Sequence, residues 1–170
     1  MSLGSFTERD GRAAVRFDRT FAHPVAEVWA AVSTPEGLAH WFPSQVRLEP
    51  RPGGALSFSG DPHTADIPGE VLVFEPPHHF AFTWGANQVH LELAPDGAGG
   101  CRLTLTDVLG ARDEAARNGA GWTVCLEELR RWVDEGHADG PHSASAIPWQ
   151  PLFEAHVAAG LPSGAGVPTV

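Results

Sequence analysis

Apolar and polar positions alternate along "AVRFDRTF", residues 14–21. Val15, Phe17 and Phe21 share one side with Arg19, and Arg16 and Asp18 take the other. A period of two predicts a half-buried strand. Ala22-His23-Pro24 stops it, and Pro24 suits a helix start because its missing N–H would find no partner there. Val25, Val28, Trp29 and Val32 then recur at helical spacing as an apolar stripe. Ser33-Thr34-Pro35-Glu36 reads as a cap, with Pro35 in the first helical position and Glu36 near the positive helix end. Leu38, Trp41 and Phe42 form the stripe of a second helix, which Pro43 ends.

From residue 46 to 109 the period is again two. Strands are predicted over 46–49, 54–59, 69–75, 79–84, 88–94 and 101–108, separated by turn signals such as Arg51-Pro52-Gly53-Gly54 and Pro95-Asp96-Gly97. Short connections imply an antiparallel meander. Phe80, Phe82 and Trp84 face one side, as do Val89, Leu91, Leu93, Leu103 and Leu105. Thr83, His90, Glu92, Arg102 and Thr104 face the other. Strand 69–75 is apolar on both sides, which leaves open whether Val71/Val73 or Leu72/Phe74 point inward. The segment 61–68, "DPHTADIP", is too polar and Pro-rich for an element and reads as a rim loop.

The last long element is helical. Trp122, Cys125, Leu126, Leu129, Trp132 and Val133 make one stripe, with Glu127, Glu128, Arg130 and Arg131 on the outer face and Gly136 as C-cap. After it, "HADGPHSASAIP" reads as a linker. "WQPLFEAHVAAG" then places Trp149, Leu152, Phe153, His156 and Val157 on one helical face. That face needs a surface, either the body of the chain or a second subunit, so a homodimer through the tail helix is one expectation. The final "LPSGAGVPTV" reads as mobile.

Strand, two helices, six strands and a long helix describe an α+β chain. About seven antiparallel strands form a sheet whose apolar face the long C-terminal helix must cover. If the sheet curls around that helix, the two short helices close one end. A lipocalin-like barrel also joins its strands by short turns, but two helices straight after the first strand argue against it.

The same stretches carry a family resemblance. "RTFAHPVAEVWAAVSTPEGLAHWF" resembles the opening of the heat-shock-protein-90 ATPase activator-like branch of the START (SRPBCC) superfamily. "GEVLVFEPPHHFAFTW" is similar to its Pro-Pro turn and Phe-Thr-Trp strand, and "GWTVCLEELRRWV" to its Gly-Trp entry into the last helix. The resemblance implies a helix-grip fold over residues 12–137, with 138–170 as linker, docking helix and tail. It also implies an apolar cavity between sheet and last helix, end-walled by the two short helices.

Composition narrows the function. The charge of −10, with all 11 basic residues Arg and scattered, makes nucleic acid and anionic membrane surfaces poor partners. No apolar run is long enough to span a membrane, and the N-terminus has no basic start followed by an apolar stretch, so a cytoplasmic location is expected. Cys101 and Cys125 are too few for a disulfide framework and read as buried thiols. The adjacent His78 and His79 would point to opposite sides of a strand, and no HExxH or paired CxxC accompanies them, so neither a metal nor another cofactor is expected. No GxSxG marks a nucleophile. Glu70, His90 and Thr104 are the polar strand positions that could reach a pocket. The aromatic surplus points instead to a binding site for a small hydrophobic molecule, lipid-like or aromatic. Its expected lining is Trp41, Phe42, Phe58, Phe74, Phe82, Trp84, Leu91, Leu105, Trp122 and Leu126. The alternatives are a polyketide cyclase-like enzyme and a co-chaperone-type interaction module, both suggested by the resemblance.

Overall fold

The computed structural model describes residues 2–167. Its elements are β1 (Ser5–Arg9), β2 (Arg12–Phe21), α1 (Val25–Ser33), α2 (Pro35–Leu38), β3 (Gln45–Leu48), β4 (Ala55–Ser59), β5 (Ile67–Glu75), β6 (His79–Trp84), β7 (Asn87–Pro95), β8 (Cys101–Val108), α3 (Ala115–Glu135) and α4 (Trp149–Ala158). All strands belong to one antiparallel sheet of eight, in the order β1-β2-β8-β7-β6-β5-β4-β3. The helix-grip architecture is the one the strand and helix pattern predicts, with one strand more than the seven expected. The extra strand, β1, forms a hairpin with β2 through Asp10-Gly11, both with positive φ (52° and 75°). An Asp-Gly pair is the sequence signal for such a turn, because both central residues must adopt the left-handed region.

The cap at the second helix is as read: Thr34 Oγ1 accepts the Gly37 N–H at 3.0 Å. The helix itself is shorter than its stripe suggested, ending at Leu38. Trp41 and Phe42 are buried from the turn that follows, and Trp41 Nε1 donates to the Ala31 carbonyl at 2.9 Å. Gly37 allows α1 and α2 to meet closely, since a Cβ there would lie 2.4 Å from the Ala30 carbonyl oxygen.

Strand β5 settles its own ambiguity with a bulge. Val71 pairs with Phe82, but Phe74 pairs with Phe80, and the register shifts between Val71 and Val73. Paired residues share a face, so Val71 and Phe74 both point inward and the alternation skips one position. The inner face is completed by Val15, Phe17, Leu91, Leu93, Leu103 and Leu105, and α3 covers it with Trp122, Cys125, Leu126 and Leu129. Burying a side chain the size of Leu126 or Leu129 contributes about 2 kcal/mol each. Gly136 caps α3 in the left-handed conformation, its N–H donating to the Trp132 carbonyl.

The chain after α3 lies on the body. Glu128, expected on the outer face, is fully buried, because residues 138–146 fold back across it. Its carboxylate accepts the Gly140 N–H at 3.0 Å and Arg131 Nη1 at 2.8 Å, and Arg131 Nη1 also donates to the Ser145 carbonyl. Helix α4 docks on α3 of the same chain through His156. The ring sits where a Cβ on Gly119 would come within 2.7 Å. Its Nε2 accepts the Gly4 N–H (3.0 Å) and its Nδ1–H donates to the Leu152 carbonyl (2.7 Å). Burial lowers the His156 pKa, in keeping with the neutral ring these bonds require. The stretch read as mobile begins with a buried Leu161, and the Pro162 carbonyl accepts the Ala116 N–H. Residues 168–170, also read as mobile, lie outside the described residues.

Candidate functional site

A cleft of about 1050 Å³ opens at one end of the grip. Its walls are the first half of α3, the 61–65 loop with Ile67, the β6–β7 turn, and the segment from Pro141 to Trp149. The rim loop expected at 61–68 is therefore part of the wall. So is the supposed linker.

Behind this cleft the interior is packed with rings. Phe42 is the centre, with ring centroids 5.8 Å from Phe58, 5.9 Å from Phe82, 5.2 Å from Trp84 and 5.9 Å from Trp122. These are contact distances for stacked, tilted and edge-on aromatic pairs, which leave no gap between the rings. Trp84 and Trp122, 5.5 Å apart, are the members of this cluster that line the cleft. Of the other residues expected in a pocket, Phe42, Phe58 and Phe82 form the layer behind those two. Trp41, Leu91, Leu105 and Leu126 are buried in the core. Phe74 sits elsewhere, against Trp29 (5.5 Å) and Phe80 (5.6 Å).

One end of the cleft is polar, built around Asp107. This residue continues the inner face of β8 after Leu103 and Leu105 and is fully buried. Its Oδ1 accepts Asn87 Nδ2 at 3.2 Å, and its Oδ2 accepts Asn118 Nδ2 and Trp122 Nε1, each at 3.0 Å. Burial pushes the Asp107 pKa up, opposed by these three donors. Arg117 joins the network with Nε to Asn118 Oδ1 (3.1 Å) and Nη2 to Glu114 Oε1 (3.0 Å). Asn87, Glu114, Arg117 and Asn118 all line the cleft. Alternation along β8 puts Asp107 on the same side as Leu103 and Leu105. That signal could have found Asp107; nothing local marks Asn87 or Asn118.

The polar strand positions singled out from sequence lie away from this cleft. Glu70 is exposed, and Thr104 Oγ1 donates to Asp18 on the outer face. His90 is buried on that same outer face, its Nδ1 3.0 Å from His79 Nε2 and its Nε2 without a partner among the described residues. Cys125 does line the cleft, but burial first, then the nearby Asp61 and Glu128 carboxylates, push its thiol up, so it is not a reactive thiolate. Among the described residues no group of three or more His, Cys, Asp or Glu is placed to hold a metal. No described helix is long and apolar enough to cross a membrane.

A curved antiparallel sheet gripping one long helix, with a cleft at the grip's end, defines a helix-grip protein of the START (SRPBCC) type. Residues 22–134 match the family described as Activator of Hsp90 ATPase homolog 1-like protein, and the chain belongs to that family. Its fold is shared with CalU16 from Micromonospora echinospora (TM-score 0.66, 20% identity, 87% of this chain and 85% of that one). It is also shared with EF2215 from Enterococcus faecalis, a conserved protein of unknown function (0.72, 15%, 92% and 89%). DynU16, a protein of the dynemicin biosynthetic locus, is 28% identical over 75% of this chain and 50% of its own (TM-score 0.65). No curated protein sequence matches the chain.

Proposed function

We propose that the protein binds a small hydrophobic molecule, aromatic or lipid-like, in the cleft beside α3. The observation that carries this reading is a space of about 1050 Å³ walled by Trp84, Trp122 and Trp149, with polar groups gathered at one end. Sites for small molecules are mostly apolar, with a few placed polar groups that fix orientation. The binding unit is the body over residues 12–137, closed on one side by the chain that follows it. Of the lining expected from sequence, Trp84 and Trp122 contact the ligand, and the rings behind them hold those two in place. Binding rather than turnover is proposed because two titratable side chains beside Trp122, Cys125 and Asp107, are unsuited to chemistry. The Cys125 thiol is held protonated, and Asp107 is enclosed by three donors. The likeness to DynU16, from a biosynthetic locus, supports a small organic molecule as the occupant.

Mass spectrometry of the purified protein, native and then denatured, tests this. A stoichiometric adduct released on denaturation is the expected result, and its mass identifies the chemical class. An apo mass, together with no thermal shift across a panel of apolar aromatic and lipid-like compounds, overturns the reading.

A further inference from the structure

The polar end of the cleft is unequally supplied with donors and acceptors, and this selects a ligand. The amide orientations follow from partners that can only donate. The Gly110 backbone N–H donates to Asn87 Oδ1 at 2.8 Å, so the Asn87 Nδ2 group must face Asp107. Arg117 Nε donates to Asn118 Oδ1, so the Asn118 Nδ2 group must face Asp107 as well. Both amide oxygens are thus occupied, and each amide keeps a second N–H that no protein acceptor takes among the described residues. Arg117 spends N–H groups on Asn118, on Glu114 and on the Gly166 carbonyl, and its guanidinium has others left over. All three side chains stand on the cleft wall, whereas Asp107, which orients the two amides, is buried behind them.

Charge decides what kind of acceptor these donors suit. The guanidinium that lines this end of the cleft is already paired with Glu114, and the two amide donors are neutral, so an anion brought here finds no uncompensated lining cation to offset its loss of water. A neutral oxygen needs none. We infer that this end of the cleft reads a carbonyl oxygen, as in a ketone, quinone or amide, on a flat aromatic ligand whose rings lie against Trp84 and Trp122. Asn87, Asn118 and Arg117 are then the residues that set specificity, and Asp107 is a positioning residue acting through both amides. This inference rests on the binding function proposed above.

The test uses fluorene, fluorenone and fluorenecarboxylate, which differ only at one ring carbon: a methylene, a carbonyl and an ionised carboxyl group. Each is titrated against the full chain, following the fluorescence of the tryptophans that line the cleft. Fluorenone is expected to bind about tenfold more tightly than fluorene, the effect of one or two net hydrogen bonds, and fluorenecarboxylate more weakly than fluorenone. Arg117→Met is expected to narrow the gap between fluorenone and fluorene, and an unchanged circular-dichroism spectrum and cooperative thermal unfolding show that the variant is folded. Fluorene and fluorenone binding equally well overturns the carbonyl inference while the binding function stands. Tightest binding by the carboxylate overturns the choice of a neutral acceptor. If none of the three binds, the carbonyl inference falls, and the binding function is decided separately by the native mass and the thermal-shift panel. The unmodified chain decides each of these outcomes without the variant.

Discussion

Asp107 and His90 lie on neighbouring rungs of the β7–β8 ladder, where Val89 pairs with Asp107 and His90 with Thr106. Both are buried polar groups, 0% and 7% exposed, but they point to opposite faces of the sheet. Asp107 is enclosed by three donors from β7 and α3. His90 has one partner, His79, and an unpartnered Nε2 under the tip of the β1–β2 hairpin. The inner group ties three separate elements together at the end of the cleft. The outer group contributes little cohesion and makes the sheet sensitive to acid. Burial alone does not give a polar residue a structural role; the completeness of its hydrogen bonding does.

The strongest way to break this contrast is Asp107→Ala. It strands two amide N–H groups and the Trp122 indole N–H without their acceptor. A loss on the order of 3 kcal/mol is expected in urea denaturation. His90→Ala on the neighbouring rung should cost less, about 1–2 kcal/mol, in the same assay at pH 7, because it deletes one hydrogen bond and an already unpaired atom. Equal losses for the two would dissolve the distinction.

The acid response sharpens it. Burial, with Arg9 and His79 adding repulsion, lowers the His90 pKa from 6.5 to about 4. Between those values the unfolded chain binds a proton that the folded chain does not, so stability falls as pH drops through this window. Allowing for solvent screening at the outer face, the loss is about 1–2 kcal/mol, and His90→Ala should remove it from a pH series of denaturation midpoints. Asp107 acts in the opposite sense. With its folded pKa raised, its contribution is fully present below the unfolded pKa and lost as pH rises through the folded one.

Glu128→Gln probes a third buried polar group, the clasp on the C-terminal segment. It keeps one acceptor but loses the charge facing Arg131, and should cost about 1 kcal/mol. Hydrogen exchange should show faster opening confined to residues 139–146. The smallest effect belongs to Arg9→Met. It removes a half-exposed ion pair with Glu92 and should cost under about 1 kcal/mol, less still in high salt.

Elements whose information is local were legible in the chain itself. The Thr34 cap, the helical stripe of α3 and the period-two strands each depend on residues a few positions apart, and each stands in the structure where the pattern put it. The aromatic positions were legible too, and Phe42, Phe58, Phe82, Trp84 and Trp122 do come together. Whether they would surround a space or fill it was not. That depends on how side chains from four different segments interdigitate, which periodicity does not encode.

What the sequence by itself determined is the order of the elements and the inward side of the regularly alternating strands and of the α3 stripe, because alternation and helical spacing are short-range properties of the chain. Tertiary structure alone decided three things. The bulge in β5 turned Val71 and Phe74 to the same face. The return of the C-terminal chain buried Glu128 and built one wall of the cleft. The network at Asp107 drew together residues of β7, β8 and α3. Each of these is a contact between distant parts of the chain, of which the bond from Gly4 to His156, 152 positions apart, is the extreme case. Such contacts form only when the whole sheet has curled around α3, so no window of sequence contains them.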